Sequence, residues 1–117
     1  MNATNPILTI TTFGFKYGTP RCNYYFDVSF LPNPARLEKF SLYSELDSEM
    51  LDYIRMQDGA SEIVEIIVNL SQFIATKDVA KIGIGCNSGR HRSRAIAAMV
   101  CEKLEKLNIA YRQKHED

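Results

Sequence analysis

The 117-residue chain has no excess of charge of either sign, because fourteen Lys and Arg balance fourteen Asp and Glu. A formal net charge of zero excludes capture of nucleic acid or anionic membrane by the overall field, leaving only local basic patches for such work. No apolar run approaches the ~20 residues that span a bilayer. The first charged residue is Lys16, so the basic n-region of a secretory leader is missing. Cysteine is scarce. Cys22, Cys86 and Cys101 cannot all pair, and no two of them stand as C-x-x-C. Free thiols in a reducing compartment, the cytoplasm, are therefore expected. No ligand-pair spacing joins these cysteines to His91 and His115, so neither a metal nor another cofactor is expected. The chain also lacks repeats, charge blocks and Gly/Ser linkers. At this length it buries roughly two-thirds of its unfolded surface, so a single domain over residues 1–117 with its own core is expected.

What is present reads as alternating elements. Residues 7–13 are rich in β-branched side chains and predict a strand. Residues 22–30 alternate, with Tyr24, Phe26, Val28 and Phe30 on the expected core face and Tyr25, Asp27 and Ser29 on the other. Pro32 and Pro34 end that strand. Asp47 is a suitable N-cap for a helix over 48–56 that stops near Gly59. Ser61 is expected to cap a second helix to about residue 75, with Ile63, Ile66, Ile67, Leu70, Phe73 and Ile74 as its core-facing stripe. Residues 79–85 predict a buried strand and residues 93–107 a third helix. Asn108 is its left-handed cap, and residues 109–114 form a last strand. The order β-β-α-α-β-α-β predicts an α/β sandwich of about four strands flanked by helices.

The chemistry concentrates in KIGIGCNSGRHRSR (81–94). A buried strand runs into a polar loop, and the loop into a helix, the place where open α/β sheets bind ligands. The helix start offers N–H donors and a positive dipole end for a phosphate. Gly85 and Gly89 permit close backbone approach, Arg92 can fork two bonds onto phosphate oxygens, and Ser93 adds a hydroxyl. Arg90, His91 and Arg94 add positive charge. The same residues match C-x5-R-[S/T], from Cys86 to Arg92 and Ser93, a pattern expected by chance about 0.02 times here. Two functional classes share this loop. In one it is a phosphate receptor without chemistry. In the other Cys86 is a thiolate nucleophile beside Arg92, resembling cysteine phosphatases of the tyrosine-phosphatase type. Those enzymes usually have His where this chain has Gly85, and they need an acidic general acid. Asp27, Asp47 and Asp58 are better read as strand surface, helix cap and turn.

Three separated motifs, FGFKYG (13–18), FDVSFLPNP (26–34) and IGCNSGRHRS (84–93), together resemble the C-terminal domain of the RNase adapter protein RapZ family. Leu46-Asp47 and the closing His115-x-Asp117 also fit, so the resemblance runs from about residue 12 to 117. It implies a phosphate-sugar sensing module. Members bind glucosamine-6-phosphate in this domain, and those of enteric bacteria present a small regulatory RNA to an endoribonuclease. Carried over by motif position, the ligand residues are Asn87, Ser88, Gly89, Arg90, His91, Arg92 and Ser93, with Lys16 and Asn33 lining the same pocket. The implied partners are a phosphorylated small molecule, an RNA or regulatory protein, and a second copy in a homodimer. The family's N-terminal Walker-type loop has no counterpart here, so a stand-alone domain without ATP or GTP binding is expected. The family usually continues past the final His into a basic tail that helps hold RNA, where this sequence reads His115-Glu-Asp117, so RNA binding is a weaker expectation than metabolite binding. The family's Arg and Thr-Gly pair are replaced within SLYSEL (41–46).

Among the remaining residues, Lys16 and Arg21 flank a turn, and His115 is expected to be merely exposed. Cys101 is expected to be a packed core thiol. Tyr25 is a candidate interface residue.

Overall fold

Two β-prone segments build the centre of a sheet. Leu8–Gly14 (β1) and Ala80–Cys86 (β3) run parallel, with Leu8 opposite Ala80 and Gly14 opposite Cys86. Short strands flank them: Tyr24–Asp27 (β2) on β3, and Arg112–His115 (β4) on β1. The computed structural model describes residues 8–40, 45–77 and 80–116. Within these the sheet order is β2-β3-β1-β4 with every pairing parallel. Parallel strands require crossovers. Ser48–Arg55 (α1) and Ala60–Ile74 (α2) join β2 to β3, and Arg92–Lys106 (α3) joins β3 to β4. The α/β class and the element order are those expected from the sequence. Ile7 and Val79, expected as strand starts, residues 41–44 of the divergent segment, and Asp117 lie outside the described residues.

Helix α3 rests on β1 and β3, and α1 and α2 pack against α3. The core between sheet and helices is aliphatic. Leu8, Ile10, Ile82 and Ile84 meet Ile54, Ile67, Ile96, Val100 and Leu104, all shielded from solvent. Each such side chain contributes roughly 1.5–3 kcal/mol by burial. Asp47 caps α1 by accepting from Met50 N at 2.9 Å, and Asn108 ends α3 at φ 58°, both as expected. Cys101 is a buried core thiol, and burial pushes its pKa up to about 12. The neighbouring Tyr111 hydroxyl donates to Glu105 Oε2, which holds it well above the usual tyrosine range.

The opposite face of the sheet is covered by a loop rather than a helix. The chain leaves β1 through the 3₁₀ turn Phe15–Tyr17, where Lys16 N donates to Asn87 O beyond the end of β3. It returns to the start of β3, where Asn23 N donates to Lys81 O and Lys81 N donates to Asn23 Oδ1. Gly83 and Gly85, which alternate with the core residues Ile82 and Ile84, make room for this crossing. A side chain at Gly83 would meet Cys22, Phe13 and Tyr25 at 3.1–3.2 Å. One at Gly85 would strike Phe13 and Phe15 at 2.6–2.8 Å. The rings of Phe13 and Phe15 meet edge to face at 4.8 Å, and Tyr25 closes the cluster.

Three sequence expectations are corrected. The strand over 22–30 is only Tyr24–Asp27, because the Asp27 carboxylate accepts from Ser29 N and Leu31 N bonds Val28 O, turning the chain out of the sheet. Tyr24 and Phe30 are consequently exposed and only Val28 of that face is buried. Ser61 does not cap α2. The N-cap is Gly59 at φ 91°, with the Phe30 ring 2.8 Å from where a Cβ would sit. The face buried by α2 is Ala60, Val64, Ile67, Val68, Ser71 and Ile74, while Ile66 and Phe73 are 54% and 63% exposed. Ser71 is tolerated in that core because its hydroxyl donates to Ile67 O at 2.7 Å. Small shifts complete the picture: α3 starts one residue earlier than expected and leaves Leu107 exposed, and the last strand starts at Arg112 rather than 109.

Candidate ligand-binding site

The loop between β3 and α3 takes its shape from a backbone crossing. Gly89 has φ 74°, a conformation that favours glycine. Its missing Cβ would lie 2.5 Å from Gly14 N. A Cβ on Gly14 would in turn collide with the Ser88 carbonyl and come within 2.8 Å of Gly89 N. Two glycines thus let the end of β1 and the loop touch through bare backbone. The Lys16 N to Asn87 O bond closes the same contact, so the FGFKYG motif is one wall of the loop. Arg94 Nε returns from the first turn of α3 to Gly89 O at 3.0 Å and ties the loop to its helix.

The Cys and Arg of the C-x5-R-[S/T] pattern both lie inside the fold. Cys86 is 1% exposed and its Sγ donates to Ser93 Oγ at 3.4 Å, both groups buried. Arg92 is 8% exposed, and its Nη1 donates to Ser29 O at 2.9 Å and to Leu31 O at 3.1 Å. Arg92 therefore braces the FDVSFLPNP segment, which Val28 N also anchors on Gly85 O. Asn33 caps the 3₁₀ turn Pro34–Arg36, accepting from Ala35 N at 3.0 Å. A nucleophilic cysteine needs solvent access and an arginine turned toward the same phosphate. Here the thiol is covered and Arg92 Nη1 is held on two carbonyls. The carboxylates Asp27 and Asp47 are committed to Ser29 N and Met50 N.

Outside, the loop opens on a cleft of about 860 Å³. Ser88, Arg90 and His91 of the expected site line it, joined by Arg94 and Ala98 from α3. Tyr17 contributes from the turn after β1, Glu45 and Leu46 from the approach to α1, and Gln113, His115 and Glu116 from the other sheet edge. Asn87 and Gly89 shape the loop, Lys16 contributes its backbone, and Arg92, Ser93 and Asn33 lie outside the cleft lining. His115 is exposed but not idle, since its Nδ1 pairs with the buried Thr12 hydroxyl. Tyr17, Glu45, Gln113, His115 and Glu116 were missed as site residues. Tyr17 lies within the FGFKYG motif and His115 within the closing pattern, but neither motif shows that it reaches this loop; the pairing of β4 with β1 is what brings the C-terminal strand there. Arg94 had a signal in its place within the motif.

Burial also ranks the thiols. Cys86 and Cys101 are covered, whereas Cys22 is half-buried; desolvation is the main force pushing its thiol pKa up, with Lys81 opposing it. Alkylation of the native protein at mildly alkaline pH should add one label, slowly and at Cys22, with the other two thiols reacting only after unfolding. Intact mass and peptide mapping read this directly. Labelling of Cys86 in the native state would restore the nucleophile reading.

These features define a parallel α/β domain with a polar cleft, lined by both arginines and glutamates, at the N-terminus of a helix. The chain belongs to the RapZ C-terminal domain family, which it matches over residues 6–117. It is similar to a nucleotide-binding protein of Clostridium beijerinckii, at 36% identity over 117 residues covering 94% of this chain and 40% of that protein. It is likewise similar to a nucleotide-binding protein of a type A strain of Clostridium botulinum, at 38% identity over 122 residues covering 95% of this chain and 42% of the relative. The chain thus spans about two-fifths of the length of these relatives. Among the described residues, no helix is long and apolar enough to cross a membrane.

Proposed function

We propose that this chain is a non-catalytic regulatory module that binds a phosphorylated metabolite, an amino-sugar phosphate such as glucosamine-6-phosphate, in the cleft at the start of α3. The observation that carries this reading is the grouping of Arg90, His91 and Arg94 around the N-terminal end of α3 in one cleft. Guanidinium groups give forked, charge-assisted bonds to phosphate oxygens, and the helix end adds its dipole. Glu45 and Glu116 line the same cleft, and carboxylates suit the amine and hydroxyls of an amino sugar. The volume accommodates a hexose phosphate with room to spare. As an adapter acting in the cytoplasm, the domain would pass the ligand's presence to an RNA or a regulatory protein. An RNA partner would show an affinity that falls steeply with salt.

Thermal unfolding against amino-sugar phosphates, plain sugar phosphates, nucleotides and inorganic phosphate tests the reading. A ligand at ~100 times its dissociation constant should stabilise the native state by ~2.7 kcal/mol, on the order of ten degrees at this size. Glucosamine-6-phosphate should give that shift, and Arg94→Ala and Arg90→Ala should reduce it. An equal shift in both variants would place the site elsewhere. No shift with any phosphate would defeat the metabolite reading.

A further inference from the structure

The last strand is held to the domain by little. Among the described residues β4 is an edge strand, with β1 as its one neighbour in the sheet. All four of its residues, Arg112 to His115, are exposed, so no side chain of the strand adds to the core. The ion pair of Lys114 Nζ with Glu116 Oε1, at 3.5 Å, is internal to the segment and fastens it to nothing. Three things do fasten it: the parallel pairing with Thr9 to Thr12, the Glu116 N to Thr12 O bond at 2.8 Å, and the pairing of His115 Nδ1 with the Thr12 hydroxyl. The chain before it is better anchored. Ile109 and Tyr111 pack on the core, and the Tyr111 hydroxyl donates to Glu105 on α3. A segment without buried apolar contacts opens locally at small cost.

This lightly held segment is also a wall of the cleft. Gln113, His115 and Glu116 line it together with Arg90, His91 and Arg94. In the sheet β1 stands between β4 and β3, so the strand order does not tie the segment to the loop that carries the arginines. A ligand touching both groups joins a firmly packed body to a loose one. We propose that β4 is the element through which this site reports its occupancy. A phosphorylated ligand seated in the cleft clamps β4 onto β1, and without it the strand opens about Tyr111 while the rest of the domain stays folded. The proposal rests on the ligand reading above and adds its regulation. Thr12 is the positioning residue. It is fully buried and is not among the residues that line the cleft, yet its hydroxyl and carbonyl hold His115 and Glu116, which are. By linkage, what the ligand adds to the docking of β4, a docked β4 adds to ligand affinity.

Residue-resolved hydrogen exchange by NMR on the whole chain tests this. The Glu116 N–H faces β1, and strand alternation puts the Lys114 N–H on the same side. In the free protein both amides should exchange far faster than those in the middle of β1 and β3. Glucosamine-6-phosphate at ~100 times its dissociation constant should slow them roughly a hundredfold, because the open form must first release the ligand. Thr12→Val should speed both in the free protein by roughly fivefold, the worth of one hydrogen bond. Lys114→Pro removes one of the two donors without touching a cleft residue. It should leave the strand open with or without ligand and weaken binding by roughly tenfold or more, at a near wild-type urea midpoint. Lys114→Ala, which keeps the backbone donor, should bind as the wild type does. Lys114 and Glu116 amides as slow in the free protein as those of the core, or a Lys114→Pro variant that binds like Lys114→Ala, would overturn the proposal. A ligand that raises the melting temperature and leaves β4 exchange unchanged would overturn it alone. No melting shift with any phosphate would remove it together with the ligand reading.

Discussion

Gly89→Ala is expected to destabilise the domain by about 3 kcal/mol and to lower its melting temperature by more than ten degrees. Two effects add. A φ of 74° costs an L-residue about 1–2 kcal/mol, and the new methyl would sit 2.5 Å from Gly14 N, where only backbone can give way. Gly14→Ala isolates the second effect, because it meets the Ser88 carbonyl from the other side without a positive φ. Gly18→Ala isolates the first, with φ 101° and nothing within 4 Å of its Cβ. Urea unfolding should show the largest loss at Gly89, where both effects act, with Gly18, strained at φ 101° and ψ 162° but unobstructed, losing about 1–3 kcal/mol. Equal losses at Gly89 and Gly18 would mean that the backbone crossing is not tight. Ligand binding should fail with Gly89→Ala at temperatures where the variant is still folded, because this crossing sets the loop.

Arg92→Ala is expected to cost about 3 kcal/mol of stability, through loss of two charge-assisted bonds and exposure of two carbonyls to an unfilled space. Its cause differs from that of the cleft arginines. Arg92 Nη1 bridges Ser29 O and Leu31 O, so the substitution releases the FDVSFLPNP segment from α3, and Arg92→Lys should recover only part of the loss because an ammonium lacks the planar fork. Arg94→Ala also loses a bond, to Gly89 O, but from a partly exposed position, and it should affect phosphate affinity more than stability. Paired urea titrations and ligand titrations of the two variants separate the roles. An Arg92→Ala protein that unfolds at the wild-type midpoint would show that the brace contributes nothing.

Both predictions turn on residues whose importance the sequence made plain and whose roles it did not. The C-x5-R-[S/T] pattern marks Arg92 as a phosphate ligand or a catalytic partner of Cys86. In the fold its side chain is turned toward Ser29 and Leu31, sixty residues earlier in the chain. Gly85 illustrates the same gap. Read locally, it grants a loop freedom to approach a ligand, whereas its absent side chain is filled by the rings of Phe13 and Phe15. The site was legible along one segment only. Ser88, Arg90 and His91 of that segment line the cleft, whereas Tyr17 of the FGFKYG motif, His115 and Glu116 of the closing pattern, and Glu45 before Asp47 are brought to it only by the folded sheet.

By itself the sequence determined the order of the elements, the Asp47 cap, the turn at Asn108, the strand-loop-helix passage around Cys86 and the family. All of these rest on interactions within a few residues: a carboxylate reaching Met50 N, a left-handed residue ending α3, an apolar run between polar loops. The tertiary structure alone decided which face of α2 is buried, where β2 stops, which way Arg92 points and what closes the cleft. Helix α2 is apolar over more than half its circumference, so periodicity allowed several faces. Packing against α3 chose Val64, Ile67 and Ser71, and left Ile66 and Phe73 outside. Local chemistry sets which segments are helix or strand, and only contacts between segments set which atoms meet.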